Sequence, residues 1–252
     1  METLDGLFSG ALRLHQPARG HRAGSDAVLL AAACPAGVRR VVDLGCGVGS
    51  VGLRVAQMRP DAKIALLDND PAILALAIRN IALNALEARV SAVSCDALSP
   101  ACPDAASGVA GWADVVLSNP PFFAEGRGQL SPVALKASAH VLQGGLDAWV
   151  KSALRCLAPR GQLVLIHRAD ALADILAALE RRFGDVHVRF VQPRQDAPAI
   201  RVLVRATLAS RGPLVVLPPL VLQGEDGTFT PQSAAIHEGT ATLDWASGQQ
   251  TR

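Results

Sequence analysis

From about residue 39 the chain alternates short apolar runs with longer stretches that suit helices. Arg40-Val41-Val42-Asp43-Leu44, Lys63-Ile64-Ala65-Leu66-Leu67-Asp68, Arg89 to Cys95, Ala113-Asp114-Val115-Val116-Leu117-Ser118 and Gln162-Leu163-Val164-Leu165-Ile166 each read as a buried strand. Between them, Ser50 can cap a helix that runs to about Met58 and is stopped by Pro60. Asp70 is a good N-cap, and Pro71 sits at the first helical position of a helix reaching about Leu86. That helix is apolar on most faces, as expected where a helix is sandwiched against a sheet. Further helices are expected from about Leu146 to Leu157 and from Asp170 to Phe183. Val186 to Val191 and Ile200 to Thr207 read as two more strands, across a turn holding Pro193 and Pro198.

Strands alternating with helices imply an α/β fold with a doubly wound, mostly parallel, seven-stranded sheet of Rossmann-like form. A terminal hairpin would add antiparallel strands, as mixed sheets allow. Cys102 to Gly111 is small and polar and reads as a loop. Residues 123–132, rich in Gly and Pro from Gly126 to Pro132, read as a mobile segment. After Ser210 the chain turns Pro- and Gly-rich, so a final extended segment at Leu214–Leu222 and then a loosely held tail are expected. The pattern demands no linker. It predicts one domain over 1–252, with a leading segment 1–38, a core 39–210 and a C-terminal extension 211–252.

Half of the 252 residues are apolar, which suits a packed core and argues against disorder. The 24 basic and 22 acidic side chains nearly cancel, so any nucleic-acid contact needs a local patch rather than bulk charge. Tyrosine is absent, leaving six Phe and three Trp as stacking surfaces. The five cysteines, Cys34, Cys46, Cys95, Cys102 and Cys156, are odd in number and form no CxxC pair. Neither a disulfide framework nor a structural zinc site is expected; buried thiols in a reducing cytoplasm are. No apolar run is long enough for a transmembrane helix, and no metal site is suggested by the isolated His140, His167, His187 and His237.

Two segments carry the chemistry. Asp43-Leu44-Gly45-Cys46-Gly47-Val48-Gly49-Ser50 is a strand running into a glycine-rich turn and a helix. Glycines there let the backbone turn tightly and approach a ligand closely. Gly47, Gly49 and Gly52 also satisfy the dinucleotide pattern, so glycine spacing alone does not choose the ligand. Asp43 chooses better. Two residues before Gly45, its carboxylate should face the ligand, where it would repel a pyrophosphate at close range. S-adenosylmethionine has no phosphate, and its sulfonium and amino groups are both positive. Asp68, ending the second strand, suits a ribose diol in either cofactor class or the start of a turn. Asp96 suits an adenine amino group or a plain cap.

The second segment is Ser118-Asn119-Pro120-Pro121-Phe122, at the carboxyl edge of a strand, where open α/β folds bind ligands. Each proline fixes its own φ and restrains the residue before it. The Asn119 side-chain oxygen and the Pro120 carbonyl are thus held as two fixed acceptors for the hydrogens of an exocyclic amino group. As methyl transfer begins, that nitrogen loses conjugation and its hydrogens become more acidic, so the same acceptors bind more strongly. Phe122 or Phe123 can stack on a planar substrate.

These segments resemble class I methyltransferases that modify amino nitrogens, whose catalytic motif is Asn or Asp, two prolines, then Tyr or Phe. Asn119, Pro120, Pro121 and Phe122 match it, with Phe in place of the commoner Tyr. His21-Arg22-Ala23-Gly24-Ser25-Asp26-Ala27-Val28-Leu29-Leu30 is similar to the leading segment of the tRNA(Val) adenine-N6 methyltransferase family. Pro193-Arg194, Arg201-Val202-Leu203-Val204 and Pro219-Leu220 follow that family's C-terminal pattern, so the resemblance spans roughly residues 10–235. It implies S-adenosylmethionine as cofactor, with contacts at Asp43, Gly45, Cys46, Gly47, Asp68, Asn69, Asp96, Ala97 and Asn119. Ser25 and Asp26 would close over its methionine part. It also implies a catalytic role for Asn119, Pro120, Pro121 and Phe122 on adenine N6 of a tRNA.

Sister families share the motif. Release-factor glutamine methyltransferases carry a helical domain ahead of the core, and one type of ribosomal RNA guanine-N2 enzyme carries a duplicated domain there. With 42 residues before Asp43, length favours the tRNA adenine reading by association. The alternatives are a protein glutamine-N5 or small-molecule amine methyltransferase, and a non-catalytic RNA-binding module on the same fold. A tRNA would need an extruded base and a basic surface. Arg13, His15, Arg19, His21 and Arg22 form an N-terminal arm that can either meet phosphates or stand as an ordinary solvated segment.

Overall fold

The computed structural model describes residues 2–18, 22–121 and 145–246. In chain order the elements are β1 (Glu2–Leu7), β2 (Leu12–Pro17), α1 (Ser25–Ala32), β3 (Arg40–Leu44), α2 (Ser50–Met58), β4 (Lys63–Asp68), α3 (Pro71–Leu83) and β5 (Val90–Ser94). They continue with β6 (Ala113–Ser118), α4 (Gly145–Cys156), β7 (Leu157–Arg168), α5 (Leu172–Leu179), β8 (Phe183–Gln192), β9 (Arg201–Leu208), β10 (Val215–Val221) and α6 (Pro231–Glu238). The local signals explain the best-placed elements. The Asp70 side chain accepts from the amides of Ala72 and Ile73, with Pro71 in the first turn of α3.

The main sheet runs β10-β8-β9-β7-β6-β3-β4-β5. Seven of these strands are the expected ones, and the final extended segment joins as an eighth, parallel to β8. Strand β9 is antiparallel to both β7 and β8, which supplies the antiparallel hairpin in an otherwise parallel sheet. The β10–β8 register shifts between Leu217 and Leu220, where Pro218 and Pro219 sit. Alternation along the strands feeds two apolar cores. Val41, Val115, Leu117 and Ile166 pack with α1, α2, α3 and α6 on one face, and Val42, Leu44, Val116 and Leu165 with α4 and α5 on the other.

The order reverses between β3 and β6. After β3 the chain builds outward through β4 and β5, then returns to place β6 on the other side of β3. Such a switch point leaves a crevice at the carboxyl ends of the strands. Leu44 and Ser118 are direct partners across it, so the residues that follow them, Gly45 and Asn119, leave the sheet side by side.

Three expectations are corrected, and the leading segment shows an element the pattern did not predict. The leading segment forms an antiparallel hairpin, β1–β2, which packs on α3 through Asn80 and Asn84: Asn80 Oδ1 accepts from the His15 amide at 2.7 Å, and Asn84 Nδ2 donates to the Arg13 carbonyl at 2.7 Å. The tail is not loosely held. Thr230 caps α6, and Ile236, Leu243 and Trp245 are buried, with the Trp245 indole donating to the Ala33 carbonyl at 2.7 Å. The helix expected to reach Phe183 ends at Leu179, because Glu180 leaves helical geometry and Arg181 takes a positive φ. Finally, the cysteines are not all free thiols: Cys95 and Cys102 form a disulfide, while Cys34, Cys46 and Cys156 remain free and buried. No helix among the described residues is long and apolar enough to cross a membrane, and no group of possible metal ligands occurs among them.

Candidate active site

A cavity of about 710 Å³ opens at the switch point. It gathers both motifs. Asp43, Gly45, Cys46, Gly47 and Asp68 line it from β3 and β4, Asn119, Pro120 and Pro121 from the end of β6, and Ser25 and Asp26 from α1. Asn69, Asp96 and Ala97 do not line it. Asp96 is exposed, and its Oδ1 accepts from the Leu98 amide at 2.9 Å, which is the turn-cap arrangement. Ala97 is buried, its carbonyl accepting from Ser152 Oγ at 2.6 Å. Phe122, with Phe123, Arg19, His21 and the 126–132 segment, lies outside the described residues.

The three glycines of the first motif and Gly52, just beyond it in α2, have different tasks. A Cβ on Gly45 would meet the Trp149 ring at 2.6 Å, one on Gly49 would meet Leu66 at 2.9 Å, and one on Gly52 would meet Leu66 at 2.3 Å. Those three make room for protein. Gly47, at φ +55°, has nothing within 4 Å, and is the position whose bare backbone faces open cavity. The expectation that these glycines admit a ligand therefore narrows to one of them.

Both acids of this wall brace the turn. Asp68 Oδ2 accepts from the Gly47 amide at 2.9 Å, and its Oδ1 from the Asp70 amide at 3.0 Å. Asp43 Oδ2 accepts from the Gly52 amide at 2.8 Å and ties β3 to the first turn of α2. Asp43 is only 1% exposed. Burial pushes its carboxyl up to about 7; the Gly52 amide opposes that shift and the Asp68 charge adds to it. A cation entering the cavity would favour the ionised form. The Cys46 thiol is pushed well above its usual range by burial and then by the two acids, so it is inert.

The second wall comes from distant parts of the chain. Ser118 Oγ donates to the Leu44 carbonyl at 2.7 Å and accepts the Trp149 indole N–H at 2.8 Å. This chain of bonds fastens the residue before Asn119 to the residue before Gly45. Among the described residues no hydrogen bond engages the Asn119 side chain, which leaves its amide for a ligand. His167, on β7, is 5% exposed, and burial pushes its imidazole below the ordinary range. Trp149 and Arg201 also line the cavity; Trp149 lies in no motif, and Arg201 belongs to the C-terminal pattern without a site role expected of it, so both reach the site through tertiary packing.

The basic arm is of mixed sign. Arg22 Nη2 lies 2.7 Å from Asp5 Oδ2, His15 lies 3.8 Å from Glu2, and Glu2 also pairs with Arg79 at 2.7 Å. Arg13 is exposed on the hairpin.

The pocket tests the expected cofactor on its own terms. An open glycine backbone beside two carboxylates suits a nucleoside that carries positive charge and no phosphate. Known proteins agree. Residues 22–194 match the family model described as methyltransferase small domain. A release factor glutamine methyltransferase of Mycolicibacterium smegmatis is 33% identical over 59% of this chain and 53% of its own length, so the chain spans about half of that relative. A tRNA1(Val) (adenine(37)-N6)-methyltransferase of Aeromonas hydrophila is 31% identical over 73% of this chain and 75% of its own length. A crystal structure described as a predicted O-methyltransferase from Agrobacterium tumefaciens superposes with a TM-score of 0.73 at 29% identity, covering 86% of this chain and 98% of that one.

Proposed function

Because this chain belongs to the methyltransferase small domain family, whose class I members take their methyl group from S-adenosylmethionine, we propose that it methylates an exocyclic amino nitrogen, adenine N6 of a tRNA. One observation supports this reading above the others. Asn119-Pro120-Pro121 leaves β6 directly beside the glycine turn, with the Asn119 amide unengaged among the described residues.

The roles follow from the chain's own groups. Asp68 fixes Gly47 and takes the ribose hydroxyls, while Asp43 supplies negative potential beneath the donor. The bound donor supplies an electrophilic methyl group. Asn119 Oδ1 and the Pro120 carbonyl accept the two hydrogens of the target amine and orient its lone pair. As the nitrogen turns tetrahedral and positive, both acceptors bind those hydrogens more strongly, so the pair stabilises the transition state more than the ground state. Pro120 and Pro121 keep the carbonyl from turning away. The relative from Aeromonas hydrophila supports the tRNA adenine as acceptor, and Arg13, Arg19 and Arg22 are the arm's candidates for phosphate contact.

The test is labelled S-adenosylmethionine incubated with the protein and either unmodified tRNA or a release factor. Label in tRNA that digests to N6-methyladenosine is the expected result. Label in the release factor alone would replace this reading with a protein substrate, and label in neither would overturn both.

A further inference from the structure

The buried residues of α3 are Leu74, Ala77, Asn80 and Ile81, and Asn80, wholly enclosed, is the polar one. A carboxamide in such a place is costly unless its groups are bonded. Asn80 uses its oxygen and both of its amide hydrogens. Oδ1 accepts from the His15 amide at 2.7 Å, while Nδ2 donates to the His15 carbonyl at 3.0 Å and to the Val48 carbonyl at 3.0 Å. Two carbonyls need hydrogens and one amide needs an oxygen, so the partners fix which way the side chain faces. His15 belongs to the leading hairpin, and Val48 to the glycine turn that lines the cavity.

Both connections are specific. Asn80 and Asn84 stand about 6 Å apart along α3, four residues at 1.5 Å each. They meet His15 and Arg13, about 7 Å apart along β2. Each Asn side chain takes both the amide and the carbonyl of its partner, so α3 completes the outer edge of β2 as a neighbouring strand would. On the turn side, the Val48 carbonyl stands just ahead of the first one that α2 uses, that of Gly49, which is taken by the Leu53 amide at 2.9 Å. Asp68 fixes the Gly47 amide and Asn80 the Val48 carbonyl. The peptide joining these two residues is thus held from both ends, at the position that faces open cavity. Asn84 bonds Arg13 and the Asn80 carbonyl and has no bond to the turn among the described residues.

We propose that Asn80 is a positioning residue for the donor-binding turn, and that through it the leading hairpin is part of the donor site. With the hairpin docked, the carboxamide is held in the orientation that gives a hydrogen to Val48, and the turn keeps the shape the donor needs. When β2 lifts away, Asn80 loses the two bonds that orient it, and the turn loosens. Linkage requires the reverse as well: a bound donor, by fixing the turn, holds β2 on α3 more tightly by the same factor. One buried hydrogen bond supports a change of up to about tenfold in affinity. The inference rests on the methyl-donor reading and is independent of which amine receives the methyl group.

Calorimetric titration with S-adenosylmethionine, alongside the Tm of each chain alone, tests it on the wild type, Asn84→Ala, Asn80→Ala and the double variant. In Asn80→Ala the donor Kd should rise about tenfold, and in Asn84→Ala about threefold, since there only the hairpin end is loosened. In the double variant, Asn84→Ala should add nothing to the effect of Asn80→Ala, because the link it acts through is gone. An unchanged Kd in either single variant would overturn the proposal whatever the Tm does, and so would a full Asn84→Ala effect persisting in the double variant. If Asn80→Ala does not fold, hydrogen exchange of the wild type decides. Saturating donor should slow the amides of residues 12–17 severalfold while slowing those of β10, at the far edge of the sheet, less. No change, or an equal change at both places, ends the proposal. A wild-type chain that takes up no S-adenosylmethionine would instead sink the donor reading itself, a result distinct from wild-type binding that the variants leave intact.

Discussion

The two walls of the cavity are held by different kinds of contact. On the glycine-turn wall, Gly47 is braced by Asp68 and Gly52 by Asp43, bonds that span 21 and 9 residues. On the opposite wall, Trp149 reaches Ser118 across 31 residues, Ser118 reaches Leu44 across 74, and Arg201 reaches Asp26 across 175. The first wall is nearly self-contained within one strand-turn-helix-strand unit. The second exists only when β6, α4, β9 and α1 are all in place. A wall of local construction thus stands beside one that depends on the whole fold.

Variants can break or sharpen that contrast. The largest effect is expected at Asn119. Asn119→Ala should lower kcat by about 10²–10³ while leaving donor affinity within about threefold, measured by single-turnover methylation alongside calorimetry. A parallel fall in both would mean that the walls act as one.

Gly45 is where the walls touch, because its missing side chain is where Trp149 packs. Gly45→Ala, at φ +72° and facing that ring, should cost about 3 kcal/mol in urea unfolding. Gly47→Ala, also at positive φ but facing open space, should cost about 1 kcal/mol and chiefly weaken donor binding. Equal stability losses would show that Trp149 simply moves aside.

Asp43 belongs to the first wall alone. Its folded-state pKa, about 7, lies above the unfolded value of about 3.9, so the free folded protein holds a proton that the unfolded chain releases. On this group's account stability is full below pH ~4 and is lost as the pH rises through about 7. Asp43→Asn keeps an acceptor for the Gly52 amide and should add about 2 kcal/mol at pH 8 and almost nothing at pH 4. Binding has the opposite sign. A cationic donor needs the ionised form, so wild-type affinity should fall by up to about tenfold per pH unit below 7, and the variant should show no such slope. A flat wild-type profile from pH 5 to 8 would refute the placement of that charge beneath the donor.

The smallest effect is expected at Trp149. Trp149→Phe keeps an aromatic ring, though a smaller one, and removes the bond to Ser118, costing about 1 kcal/mol and about 2–4 °C in Tm. A several-fold loss of kcat with unchanged donor affinity would show that the bond positions Asn119.

What the sequence discloses follows the same division. Strands β4 and β6 were placed to the residue, and α3 by its Asp70-Pro71 start, because those signals lie within a few residues of what they specify. Asn119 and the glycine turn were legible for that reason too. The hairpin is legible in principle: Leu12 and Leu14 are buried and Arg13 and Ala11 exposed, with Ser9-Gly10 as the turn, but an alternation this short does not stand out from its surroundings. Helix α6 also carried its signal, Thr230-Pro231, masked by the Pro- and Gly-rich surroundings. Arg201 stands in the C-terminal family pattern, but that pattern carries no sign of a site role. Nothing near it in the chain indicates that it meets Asp26.

The paired prolines of β10 have a consequence at the rim of the molecule. Strand β10 ends the sheet, and an outermost strand with open amides is a template on which another chain can lay itself down. Pro218 and Pro219 have no amide hydrogens to offer, and the Pro218 carbonyl is already taken by Arg189 at 2.9 Å. Although Val216 beside them is 60% exposed, the two prolines leave no continuous row of amides at this margin for another strand to extend.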